Sequence, residues 1–169
     1  MPTNPLTRPL LSRLRRNHAL EHATIHVLSA RFPWATFVGR SDPQGFYLFG
    51  DVSGPAVGEA ATEALARLRA GEARLSIHPN CGTNLLTSGV LGACAAFAAF
   101  AGSSSARSRI SRLPTAILLT SLALIVAQPI GTALQRSVTT QSDPESLRLV
   151  DVRTWKRGRT TLHRIRTAG

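Results

Sequence analysis

Apolar residues recur at helical spacing from Pro9 to Arg31, and the pattern predicts a single helix over residues 9–31. Leu10, Leu11 and Leu14 fall among Arg13, Arg15 and Arg16, an arrangement that suits a helix lying at a lipid–water boundary. An ordinary amphipathic helix on a soluble domain carries the same stripe. Next comes ATFVGRSDPQGFYLFGDV, two apolar runs around SDPQG, which reads as a β-hairpin because Asp-Pro and Gly are turn formers. SGPAVGEAATEALARLRAGE reads as a second helix, with Pro55 in its first turn and Gly71 at its end. ARLSIH is expected as a short strand. PNCGTN then turns the chain into a long apolar run.

From Leu75 to Ala106 there is no Asp, Glu, Lys or Arg. Its core, LLTSGVLGACAAFAAFAG, would be roughly 27 Å long as a helix, enough for a bilayer core. A second uncharged run, LPTAILLTSLALIVAQPIGTALQ, is longer and more apolar, and SSSARSRISR between them is expected as a loop. Two buried core helices would carry the same pattern. A chain of 169 residues has little other apolar surface to cover them, so a transmembrane hairpin is expected. Ser88 and Gly92 offer a small-residue face for close helix packing, and Pro129 predicts a kink or an early end. Beyond it, SLRLVDVRTW and TTLHRIRT alternate around KRGR, a second β-hairpin signal, with His163 expected on an exposed strand face.

The fold class expected is therefore an α+β membrane protein. Residues 1–84 form a small α-β-β-α-β domain. Residues 85–134 form a transmembrane hairpin with spans at about 85–102 and 113–134, and residues 135–169 a basic β-hairpin tail. The first apolar run lies far from the N-terminus, so no secretory signal is expected.

The net charge of +11 fits an anionic membrane surface or nucleic acid. Residues 1–84 hold nine Lys/Arg against six Asp/Glu, residues 135–169 hold eight against three, and residues 103–114 hold three Arg and no acid. This bias favours both termini in the cytoplasm, at the inner membrane. Arg13, Arg15, Arg16, Arg153, Lys156, Arg157 and Arg159 are the candidates for anionic lipid or an acidic partner. The tail has one aromatic, Trp155, which disfavours nucleic acid as the ligand. A lipid bilayer and a protein partner or oligomer are the expected associations. Cys81 and Cys94 then lie in a reducing compartment or in lipid, and no disulfide is expected.

Five histidines occur, and three of them fall in NHALEHATIHVL. On a helix His18 and His22 lie about 40° apart and one turn from each other, a geometry that lets two imidazoles share a metal ion. Glu21 lies about 60° to the other side of His18, and H-x-x-E-H is the order of the inverted zincin motif. In such a site zinc lowers the pKa of a bound water and the glutamate takes its proton. A solvated helix face with a Glu–His interaction would leave the same short motif. SIHPNCGTN adds His78 and Cys81 on a turn stiffened by Pro79 and loosened by Gly82, although Cys81 at a helix entry can also be a small apolar filler.

The pairing of HALEHATIH with HPNCGTNLL resembles the YqhQ-like family of bacterial membrane proteins, described as predicted metal-dependent enzymes. The matching positions are His18, Glu21, His22, Thr24 and Ile25, then His78, Pro79, Cys81, Gly82 and Thr83. Over most of its length the chain is similar to a shorter, uncharacterised bacterial domain family. The resemblance implies a metal and a membrane location and supplies no substrate. The site expected is His18, His22 and His78 as ligands, with Cys81 as a further or substitute ligand and Glu21 as general base. His26 and Asn84 are expected to contact the ligands or the substrate. Glu59 and Glu63 are expected on a solvated helix face. The function expected is a membrane-anchored zinc-dependent hydrolase, a peptidase in the leading case. The competing expectation is a non-catalytic scaffold or complex subunit with a structural metal and a basic docking tail.

Overall fold

The structure is a computed structural model that describes residues 9–158 and 160–169. It divides into two compact units, one built from residues up to His78 and from Arg136 onward, the other from Pro79–Gln135.

In the first unit, helix α1 spans Pro9–Arg31, as its periodicity predicts. Strands β1 (Val38–Asp42) and β2 (Gly45–Phe49) form the first hairpin, closed through Pro43 and Gln44. Helix α2 (Gly54–Arg69) starts where the Ser53 hydroxyl accepts the Ala56 N–H, with Pro55 in the first turn. Gly71, at φ +90°, follows the helix end in a conformation that disfavours residues with a Cβ. Strands β3 (Arg148–Arg157) and β4 (Thr160–Ala168) form the second hairpin.

The expected domain division set this second hairpin apart as a tail. Instead β4 pairs antiparallel with β2, giving one four-stranded sheet of order β1-β2-β4-β3. An edge strand leaves a row of unpaired backbone groups, and pairing satisfies it. The pairing also places Phe46 beside Ile165, so the inward side chains of both hairpins make one face. Helices α1 and α2 pack on that face through Leu20, Leu28, Val57 and Leu65.

Two further expectations are corrected here. ARLSIH is not a strand; residues Ala73–Ser76 form a 3₁₀ turn. Local bonds win there: Ser76 Oγ donates to the Ala73 carbonyl at 2.7 Å, and the Leu75 N–H to Glu72. His163 is not exposed but fully buried, because it shares the inward parity of Ile165. Its Nε2–H donates to the Gly50 carbonyl at 3.2 Å, and Thr154 Oγ1 lies 2.9 Å from Nδ1.

In the second unit, α3 (Gly82–Phe100) and α5 (Leu113–Leu134) pack antiparallel, and both are long and apolar enough to cross a membrane. Their outward side chains are as apolar as their contacts: Phe97 is 80% exposed and Ile125 68%. A helix apolar all round needs an apolar surround. Gly92 faces α5, where a Cβ would meet Leu124 and Thr120 at 3.6 Å. At the hairpin base, Gln135 Nε2 donates to Asn84 Oδ1 at 2.7 Å, and Gly131 leaves the space that Asn84 fills. The connecting segment, expected as a loop, contains the short helix α4 (Ala106–Ser111), begun by the Ser105 hydroxyl accepting the Ser108 N–H. Arg112 donates to the Ala101 carbonyl at 2.6 Å, closing the end of α3. Helix α5 continues past Pro129, and a π turn follows at Gln135–Thr139.

Gly131→Ala should lower the melting temperature of detergent-purified protein, because its Cβ would sit 3.1 Å from the Asn84 Cα. Gly89→Ala, on an open face of α3, should leave it unchanged or raise it, since alanine adds up to about 1 kcal/mol of stability through helix propensity. Equal melting temperatures for the two variants would show that the Asn84–Gly131 contact carries no weight. Burial holds the His163 pKa below its ordinary 6.5, outweighing the bond to Gly50, which acts the other way. The unfolded chain therefore binds a proton that the folded one refuses. Stability from this group is complete above pH 6.5 and declines as pH falls below it. Thermal unfolding across that range should show the decline, and His163→Gln should flatten it.

Candidate metal centre

His18, His22 and His26 fall four residues apart on α1 and share a face. The helix turns this face toward the backbone at residues 76–78 and toward Thr139. His22 donates Nδ1–H to the Ser76 carbonyl at 2.7 Å, His26 donates Nε2–H to Ile77 at 2.8 Å, and His18 donates Nδ1–H to Thr139 at 2.9 Å. A carbonyl only accepts, so each bond fixes which nitrogen carries the proton whenever the ring is neutral. The lone pair is then on Nε2 of His18 and His22 and on Nδ1 of His26. Metal-binding histidines are oriented in this way, by a backbone or carboxylate acceptor on the far nitrogen.

His78 stands beside two of these rings. Its ring centroid lies 5.7 Å from that of His22 and 5.1 Å from that of His26. His18 and His22 are 4.4 Å apart by the same measure, edge to face, and a nitrogen of one lies within 4.8 Å of a nitrogen of the other. Tetrahedral zinc with bonds of about 2.1 Å asks for nitrogens ~3.4 Å apart. Burial, and then the nearby positive charge that His22 and His26 can carry, push the His78 pKa down to about 4. His78 is thus neutral at physiological pH, the state a metal ligand requires.

Glu21 is buried and turned toward β1, where the Ser41 hydroxyl donates to Oε2. Gly39 makes room for it, since a Cβ there would collide with the carboxylate. The acid therefore also ties α1 to the sheet. Cys81 lies in the second unit, buried at the start of α3, where its sulfur accepts the Thr83 N–H at 3.4 Å. Asn84, also in that unit, uses its amide between Gln135 and the Pro79 carbonyl.

Three of the candidate lipid-binding arginines serve the fold. Arg16 is buried against Glu145 at 2.6 Å, Arg15 donates to the Ser137 and Thr140 carbonyls, and Arg13 donates to Thr167. Arg153 is exposed beside Asp151, and Lys156 is exposed. Arg159 and the side chain of Arg157 lie outside what the structure describes. Glu59 and Glu63 pair with Arg31 on the surface. The three carbonyl acceptors and the Ser41–Gly39 seat for Glu21 escaped the sequence reading. Backbone acceptors leave no residue signature, although a Gly-x-Ser in a strand hints at a crowded face.

No solved structure matches the chain. It is 45% identical to an uncharacterised protein of Picosynechococcus sp., over 48% of this chain and 47% of that one. It thus spans about half the length of that relative. A family model described as a domain of unknown function, DUF6391, matches residues 13–152. That agrees with the expected similarity to an uncharacterised family over most of the length, and the chain belongs to the DUF6391 family.

Proposed function

We propose that this protein is a membrane-anchored metalloprotein that binds a transition ion, zinc in the leading case, and acts as a hydrolase at the membrane surface. The observation that carries the metal reading is the set of three carbonyl-oriented imidazoles on one helix face beside a neutral fourth. His18, His22 and His78 would hold the ion. The resemblance of the two histidine blocks to the YqhQ-like proteins supports the same set. Two helices of membrane length and apolar surface support the anchor. Bound zinc would supply an activated water, and Glu21 would accept its proton.

A second reading is favoured by one observation: the Glu21 carboxylate already accepts the Ser41 hydroxyl. A glutamate committed to the sheet leaves a structural metal, and the protein is then a scaffold or subunit of a larger complex.

Metal analysis of detergent-purified protein, prepared without chelators and offered zinc, should find an equimolar transition metal. His22→Ala should lose it. Zinc at a hundredfold its Kd should stabilise the wild type by about 2.7 kcal/mol and leave the variant unmoved. Protein without metal under these conditions would overturn both readings. Glu21→Gln then separates them. Turnover of a fluorogenic peptide library should fall by roughly 10²–10⁴ with metal retained if Glu21 is the base. Unchanged behaviour, or no turnover by the wild type, would leave the structural metal.

A further inference from the structure

The face of the sheet turned away from α1 and α2 carries a pattern that the metal centre does not use. Directly paired residues of an antiparallel sheet point to the same side. Val38 pairs with Phe49, Phe49 with Leu162, and Leu162 with Trp155. These four make an apolar row across all four strands, roughly 14 Å long at the usual strand spacing. Val38 is 59% exposed, Trp155 48% and Phe49 39%. The next row is Arg40, Tyr47, Arg164 and Arg153. Arg164 stacks over Tyr47 at 4.4 Å and is held by Asp42, Arg153 is exposed at one edge of the sheet and paired with Asp151 at 3.1 Å, and Arg40 is exposed at the other edge. The third row holds Arg166 against Asp151.

We propose that this outer face docks on an anionic lipid bilayer, with the Val38–Phe49–Leu162–Trp155 row entering the headgroup boundary and Arg40 and Arg153 meeting lipid phosphates. The order of the rows carries the choice of occupant. An apolar row, then a row of three arginines, then the row that holds their acid partners Asp42 and Asp151 is an order from acyl boundary to water, and arginine stems reach along it. Single-stranded nucleic acid asks for adjacent open aromatic faces beside cations. Here the Tyr47 face is taken by Arg164, and Leu162 separates Phe49 from Trp155. Docking rests on the membrane reading of α3 and α5, which tether the unit to a bilayer by chain continuity. A tether of that kind makes a weak surface contact sufficient.

The chain has two tryptophans, so Trp34→Phe leaves Trp155 as a sole fluorescent reporter. The full chain would be reconstituted into phosphatidylcholine vesicles with and without phosphatidylglycerol, each with brominated phosphatidylcholine as quencher. Trp155 emission should shift to the blue and be quenched when phosphatidylglycerol is present, and less so in high salt. Arg40→Ser should weaken docking roughly fivefold, about 1 kcal/mol for a cation at an anionic surface, and Arg153→Ser by less, because Asp151 already pairs with it. Water-like, unquenched emission in both vesicles would overturn the proposal. So would quenching that ignores phosphatidylglycerol and both arginine substitutions. Quenching by oligo-dT in place of vesicles would overturn it in favour of nucleic acid. Flotation with phosphatidylcholine vesicles after a carbonate wash reads the spans separately. A chain that washes off refutes the membrane reading, and one that floats with Trp155 in water refutes the docking face alone.

Discussion

The ladder between β2 and β4 is the interaction on which the α/β unit depends. Alone, each hairpin is a two-stranded ribbon of marginal stability. Joined, they give Phe46, Leu48 and Ile165 one face on which α1 and α2 bury their apolar sides. The ladder joins segments more than a hundred residues apart, and closing a flexible loop of that length would cost about 4 kcal/mol. The second unit removes most of that cost. Its helices run antiparallel, and the Asn84–Gln135 bond brings the two ends of the insertion together. The chain leaves the α/β unit after His78 and returns at Arg136 with its ends already near each other.

The same closure orients the histidines. Ser76 and Ile77, which receive His22 and His26, come just before the insertion, and Thr139, which receives His18, just after it. A strand at residues 73–78 would have spent those carbonyls on a ladder. The 3₁₀ turn leaves them for α1. The imidazole tautomers are therefore set by backbone that comes together only when both ends of the chain have folded. Glu21 stands on the adjoining face of α1, where Ser41 and Gly39 receive it. The histidine face and the sheet face of this one helix are thus both held by contacts with the rest of the unit.

Local periodicity made much of this legible. Helix α1, both hairpins and the two long apolar helices follow from spacing and turn residues alone. What escaped depends on partners far along the chain. The alternation of TTLHRIRT marks a strand but does not say which parity faces a core. Only pairing with β2 decides that, and it puts His163 inside and Leu162 outside. Arg16 looked like a headgroup ligand because Glu145, its partner, lies 129 residues away. Trp155 looked isolated because Phe49 reaches it only through β4. The histidine spacing was readable, whereas the acceptors that orient the rings were not, since backbone carbonyls carry no residue identity.

Treating the helical pair as an insertion also changes what the charge pattern means. The described segments before and after it belong to one folded unit, so in the membrane reading their cations count together on one side of the bilayer. The three arginines of residues 103–114 then lie on the other. Several cations of the larger set are neutralised within the fold, at Arg16–Glu145, Arg164–Asp42, Arg166–Asp151 and Arg67–Glu72. Topogenic bias, however, is counted on Lys and Arg near the spans rather than on net charge. In the proposed membrane reading that bias sets the α/β unit, with its histidines, in the cytoplasm. An imidazole ligand must be neutral, and His78, with its pKa pushed down to about 4, is neutral at cytoplasmic pH, so the proposed orientation and the proposed metal reading agree.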